Sequence, residues 1–301
     1  MIARTLIKLG TLGLVFGPSV ISLATEVADP GAALSARSLG RSGATVATNL
    51  SHDSLLQNPA SSAFQEKYAV TLGYLGAGDS LVASIVDTKS GPIGGGVYYM
   101  RRDLKDIPTN EALGDYARME EHVGFSLMGR PSARVGIGTN FRHVYRRSYT
   151  NEVSNGRGWN FDVGARFQAQ NNLFIGGVAQ NLMADEKGLF PRRFCLGVDW
   201  AAQPILAFSA QIFKVDAGNL ARGFEVPNAA SDVGWSTGAE YSAGQGFAIR
   251  AGYMANPTWD QNLASLGGGW ESKTFALDYA FQMSTKASRF QIHTLSLTGF
   301  F

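Results

Sequence analysis

The sequence lacks most of what holds soluble domains or helical membrane proteins together. It has a single cysteine, Cys195, so no internal disulfide supports the fold. Its one membrane-like run, residues 9–24, is too short for a stable helical span. Charged residues make up only 17%, mean hydropathy is −0.04, and no long segment repeats apolar residues at helical spacing. A helical bundle, in water or in lipid, is therefore excluded. The four histidines, His52, His122, His143 and His293, are scattered. There is no Gly-x-Ser-x-Gly elbow and no His-Glu-x-x-His pair, and neither Gly94–Gly96 nor Gly267–Gly269 is followed by a phosphate-loop lysine. No catalytic residue, metal site or cofactor is expected, and the chain reads as a non-enzyme.

The short apolar run makes sense as an export leader. Arg4 and Lys8 precede it, and Ser22-Leu23-Ala24 supplies a small-x-small site, which predicts cleavage after Ala24. Two of the 26 basic residues leave with the leader, so the remainder balances the 24 acidic ones. A neutral exported chain gives no support for nucleic-acid binding.

What the sequence does have is glycine (36 residues), 11% aromatics and alternation. In 159–167, Trp159, Phe161, Val163, Ala165 and Phe167 share one strand face, while Asn160, Asp162, Gly164 and Arg166 share the other. Residues 193–200, 247–253 and 275–282 do the same, with aromatics at the ends of the apolar face, as an interfacial girdle requires. Fourteen strands follow from this pattern, from 67–75 to 289–301. Connections after even-numbered strands are tight, such as Gln170-Asn171, and most after odd-numbered ones are long, such as 103–117 and 216–233. Short and long connections alternate in a transmembrane barrel with periplasmic turns and outer loops. The expectation is an all-β fold, a 14-stranded antiparallel transmembrane β-barrel spanning 67–301 of the bacterial outer membrane. Leu295, Leu297 and Phe301 end the last strand on one face and read as the membrane-assembly signal for the barrel-assembly machinery.

The stretch before the first strand, 25–66, is rich in Ala, Ser and Gly. Within it, Ser35 to Ala47 contains Gly40 and Gly43 and leads to Asn58-Pro59-Ala60. This resembles the opening of the FadL/PorV-type outer-membrane barrels, and Val178-Ala179-Gln180-Asn181-Leu182 is similar to a strand-end motif of PorV/PorQ-like proteins. Ser61 stands where those proteins usually carry glycine. The resemblance implies a hatch, residues 25–66, seated in the lumen. Small residues on both sides suit that, since a 14-stranded barrel leaves an interior its own side chains cannot fill. Gly136, Gly138, Gly164, Gly238, Gly252, Gly267 and Gly269 are predicted to face inward. Pro59 is expected to end any short helix begun at Ser51 or Asp53.

Two charged groupings stand out. Arg134, Arg142, Asp162, Arg166, Asp199, Glu240, Arg250, Glu271 and Asp278 are predicted to face the lumen, as a polar path or as a network tying wall to hatch. Arg101, Arg102, Arg118, Arg146, Arg147 and Arg157 gather at the outer ends of the third to sixth strands, at the height of lipopolysaccharide phosphates. Two functions fit: passage of small hydrophobic or amphipathic solutes, or a non-conducting PorV-like barrel that anchors or presents proteins of a secretion or surface machinery. Expected partners are outer-membrane lipid and lipopolysaccharide, the assembly machinery and, on the second reading, a surface-complex protein.

Overall fold

A computed structural model of the chain describes residues 35–48, 53–75, 80–103, 118–148, 156–183, 192–215, 233–257, 261–285 and 291–301. The expected leader with its cleavage site, residues 25–34 and nearly all of the loop 216–233 lie outside the described residues.

Fourteen strands close into one antiparallel barrel. They are β1 (Tyr68–Leu75), β2 (Ser80–Asp87), β3 (Ile93–Asp103), β4 (Arg118–Ser132), β5 (Val135–Ser148), β6 (Gly156–Gln170) and β7 (Leu173–Gln180), then β8 (Arg193–Gln203), β9 (Leu206–Val215), β10 (Val233–Gly244), β11 (Phe247–Asn256), β12 (Gln261–Glu271), β13 (Phe275–Ser284) and β14 (Gln291–Phe300). Each strand pairs with its sequence neighbours, and β1 pairs with β14 from Ala69↔Phe300 to Leu75↔Thr294. All fourteen expected strands are present. Closure joins the first strand to the last, so the ladder satisfies the wall's backbone groups along the paired stretches, as a bilayer demands, although β7 ends at Gln180 and residues 156–162 of β6 are laddered only to β5.

Alternation decides which face meets lipid. In β8, Arg193, Cys195 and Gly197 are buried while Phe194, Leu196 and Val198 are exposed. The exposed set continues round the wall with Leu72, Val97, Phe125, Ile212, Ile249, Leu277 and Leu297. A soluble protein would not leave such a belt uncovered, whereas the hydrocarbon of a bilayer covers it. Aromatic rings mark its lower border at the short-turn end, where Trp270 meets Phe275 at 4.8 Å and Tyr68 meets Phe301 at 5.9 Å. Inside the wall, two buried rings lie across glycines of the next strand, Tyr98 on Gly124 and Phe213 on Gly234.

Three local features differ from the sequence reading. Strand β7 stops at Gln180, because Asn181 takes a left-handed conformation (φ 58) that breaks the ladder. Pro59 opens a helix instead of ending one: residues Asp53–Leu55 form one short 3-10 helix, and Pro59–Phe64 form a second with Asn58 as its cap. Proline's fixed φ and missing N–H suit the first helical position. Arg134 is not in the lumen, since it sits exposed in the tight turn between β4 and β5.

Candidate functional site

The described part of the N-terminal segment packs against the inward face of the wall at two anchor regions. The first is α1 (Ala36–Gly40), capped by the Ser35 hydroxyl, which accepts from the Ser38 N–H. The helix ends at once because Ser42 and Gly43 both have positive φ, 49 and 72. Arg37 reaches Glu240 at 3.3 Å and Glu271 at 3.1 Å. Arg41, 2% exposed, reaches Asp199 at 2.6 Å. The hydroxyls of Ser42 and Ser265 are 2.7 Å apart. Burial opposes the charge of Arg37, but Glu240, Asp278 and Glu271 outweigh it and hold its pKa above the usual arginine value.

The second anchor is Asn58, which is fully buried. Its amide donates to the Val46 carbonyl at 2.7 Å and to the wall carbonyl of Ala165 at 3.2 Å, and its side-chain oxygen accepts from the Ala60 N–H at 3.1 Å. Nearby, Arg166 donates to the Ala47 carbonyl at 2.7 Å, with its guanidinium over the rings of Phe174 (3.8 Å) and Phe64 (4.7 Å). Gln180 donates to the carbonyls of Leu56 and Gln57.

The wall is shaped to receive these anchors. A Cβ added at Gly164 would lie 2.0 Å from the Asn58 side-chain oxygen, and one at Gly138 would lie 2.6 Å from the Ala60 nitrogen. Gly136 faces Phe64 and Ala60, Gly238 and Gly252 face Arg41, and Gly267 faces Gly40. Gly269 is the exception, spaced instead for Asp278 of the next strand.

Of the predicted lumenal charges, the structure brings together two groups. Near the outer half, Arg142 grips Asp162 through two bonds of 2.8 and 3.1 Å, and Asp162 also accepts from Asn140 and from the Asn181 N–H. Near the short-turn mouth, Arg250 binds Glu240 and Asp278, each at 2.6 Å. Glu271 stands at the mouth, shared by Arg37 and Lys67. With Arg134 outside, the wall arginines 142, 166 and 250 face five carboxylates, and Arg37 and Arg41 of the N-terminal segment make up the difference. Sequence reading missed both. The available signal was that surplus of acid on the inward face opposite a segment with two arginines.

The basic group at the outer ends divides. Arg101 is exposed at 45% of its side chain, and Arg147 and Arg157 are exposed too, whereas Arg102 is buried in the wall at 2%. Arg118 and Arg146 occupy the outer ends of β4 and β5. Leu295, Leu297 and Phe301 all face outward, and the Phe301 N–H donates to the Tyr68 carbonyl at 3.0 Å across the seam.

On the short-turn side, the segment borders an open cavity of about 720 Å³ lined by Arg37, Glu240, Arg250, Glu271 and Asp278. Between segment and wall, Leu39, Val46, Gln57, Gln180, Cys195 and Gln211 line a small pocket of about 20 Å³.

Fold and site together define a class: a fourteen-stranded transmembrane β-barrel carrying chain against the inside of its own wall. No family model and no curated protein matches the sequence. Among solved structures, the chain is similar to the monoaromatic hydrocarbon channel CymD, at 15% identity and a TM-score of 0.63 over 89% of this chain and 97% of that one. It is also similar to the Pseudomonas putida toluene transporter TodX (10%, TM-score 0.64, 93% and 99%) and to a Pseudomonas aeruginosa FadL homologue (10%, TM-score 0.62, 92% and 99%). At these identities the likeness is one of fold.

Proposed function

We propose that this chain is an outer-membrane channel protein for small hydrophobic or amphipathic solutes, with residues 35–66 acting as a hatch that must shift for passage. The observation that carries this reading is how the lumen is occupied. A stretch of chain separate from the wall occupies part of it, joined to wall residues by the ion pairs and hydrogen bonds of Arg37, Arg41 and Asn58 and by apolar clusters in which Leu39, Val46 and Leu55 gather with residues such as Phe213, Met254 and Tyr98. The segment is held through side chains and is no part of the strand ladder, so it can shift locally while the wall stays paired. The cavity at the short-turn mouth gives the segment room to move. CymD and TodX, channels for aromatic hydrocarbons by description, share the fold and so lend the solute class. A second reading, a barrel that anchors partner proteins without conducting, draws support from the buried ion pairs that tie the segment to the wall.

One experiment separates the two. In protein with Cys195→Ser, the pair Ser42→Cys and Ser265→Cys puts thiols where two hydroxyls now touch. Oxidation would tie the segment to the wall. The channel reading expects uptake of a small aromatic solute into liposomes to fall on oxidation and return on reduction. Equal uptake in both states would show that the segment is not a gate, and no uptake in either would favour the anchoring role.

A further inference from the structure

The outer surface of β3–β6 changes character in rows that register fixes. Phe125, Phe141 and Phe161 lie side by side on adjacent strands, with ring centroids 5.3 and 4.5 Å apart. The next outward row toward the long loops is Tyr99, Val123, His143 and Trp159. The row beyond is Arg101, Glu121, Tyr145 and Arg157, followed by Met119 beside Arg147. Trp and Tyr rings settle at the boundary between hydrocarbon and headgroups. Two residues further along a tilted strand is roughly 5 Å higher, which puts the arginines among the headgroups.

Among the described residues these guanidinium groups have few close carboxylates, Glu121 opposite Arg101 being one. Arg101 has a carboxylate, Asp103, only at 3.9 Å, and Arg147 and Arg157 have none among the described residues. Glu121 accepts the Tyr99 hydroxyl at 3.1 Å. Among the described outer strand ends, those from β10 round to β2 carry no lysine or arginine. Arg101 and Arg157 stand three strands apart, about 14 Å at the usual strand spacing.

We propose that this sector is a docking surface for a glycolipid of the outer leaflet whose headgroup carries two separated phosphates, with Arg101 and Arg157 each taking one and Arg147 above them. Guanidinium suits this because it offers paired donors to phosphate and keeps its charge at an interface. The apolar rows beneath would accept the acyl chains, so one lipid would be held at both ends. The surface presupposes the outer-membrane placement above and does not depend on whether solute passes.

The test is binding of lipid A to refolded protein in detergent, followed by native mass spectrometry and by Trp159 fluorescence. The triple variant Arg101→Ala, Arg147→Ala and Arg157→Ala should bind at least about tenfold more weakly. Wild type should lose a similar factor when lipid A is stripped of both phosphates, and an intermediate one with a single phosphate left. The control Arg134→Ala with Lys273→Ala, on the opposite rim, should match wild type. Heat-modifiable migration on gels certifies each barrel before titration, so a misfolded variant is not scored. A folded triple variant with wild-type affinity, or equal binding of dephosphorylated lipid, would overturn the proposal while leaving the barrel and channel readings intact.

Discussion

At Asn58, one buried amide ties three pieces of chain: its own helix cap, the Val46 carbonyl and the wall at Ala165. Replacing it with Ala removes all three bonds and leaves two carbonyls without that donor. The expected cost is about 1–3 kcal/mol for three lost bonds, limited because the Ser61 hydroxyl still donates to the Val46 carbonyl. That cost falls on the segment, because the wall ladder is untouched. Asn58→Ala should therefore expose a protease site placed near Ser42 while gel migration of the folded barrel stays unchanged. Persistent protection would mean that the arginine anchors hold the segment unaided. The Asn-Pro-Ala motif was legible in the sequence, but its partners were not. Val46 and Ala165 contribute backbone carbonyls, which no side-chain pattern announces.

Neighbouring residues of one strand should fail in different ways. Leu196 is exposed to lipid at 56%, while an atom added to Gly197 would press on Val46 of the segment at 2.7 Å and on the Ala210 carbonyl at 2.6 Å. Leu196→Arg should cost about 2–4 kcal/mol in a bilayer, read as a lower urea midpoint for refolding into vesicles. Gly197→Ala should fold into the membrane and instead raise protease access to the segment. If both variants lost membrane folding alike, the two-faced assignment of β8 would be wrong. The strands themselves were legible because alternation is a local signal that one stretch of sequence contains. The inward face was legible only as small and polar. Close fit at Gly164 and Gly197 was not, so an inward arginine there, tolerable in an empty lumen, has no room in this one.

For the whole molecule, the charges at the short-turn mouth form one connected set. Arg250 links Glu240 of β10 to Asp278 of β13, and Glu240 links onward to Arg37 of the segment. Removing Arg250 leaves two largely buried carboxylates whose nearby counter-charges are Arg37 and, for Glu240, Arg41. Arg250→Ala should cost about 2–4 kcal/mol, less than for a fully enclosed pair because Glu240 is 14% exposed. On the channel reading it should also raise solute leak into liposomes, and Arg250→Lys should restore part of the barrier. Leak at the wild-type level in the Ala variant would show that this set holds the wall and not the segment. Parity of the strands told which acids face inward, but not what answers them. Arg37 and Arg41 lie far from those acids in sequence, and only the closed shape brings them within reach.

Closure itself has a consequence in time. The seam joins Thr71 to Thr298, whose hydroxyls touch at 3.0 Å across 227 positions of sequence. Every other strand finds its partner next door, so hairpins can form early and locally, but this last pairing waits for the whole wall. Until then β1 and β14 are both open edges, ready to pair with a second copy. The slow step of folding is thus also the hazardous one, and the seam is where a chaperone or an insertion catalyst would do most to speed this chain to its native state.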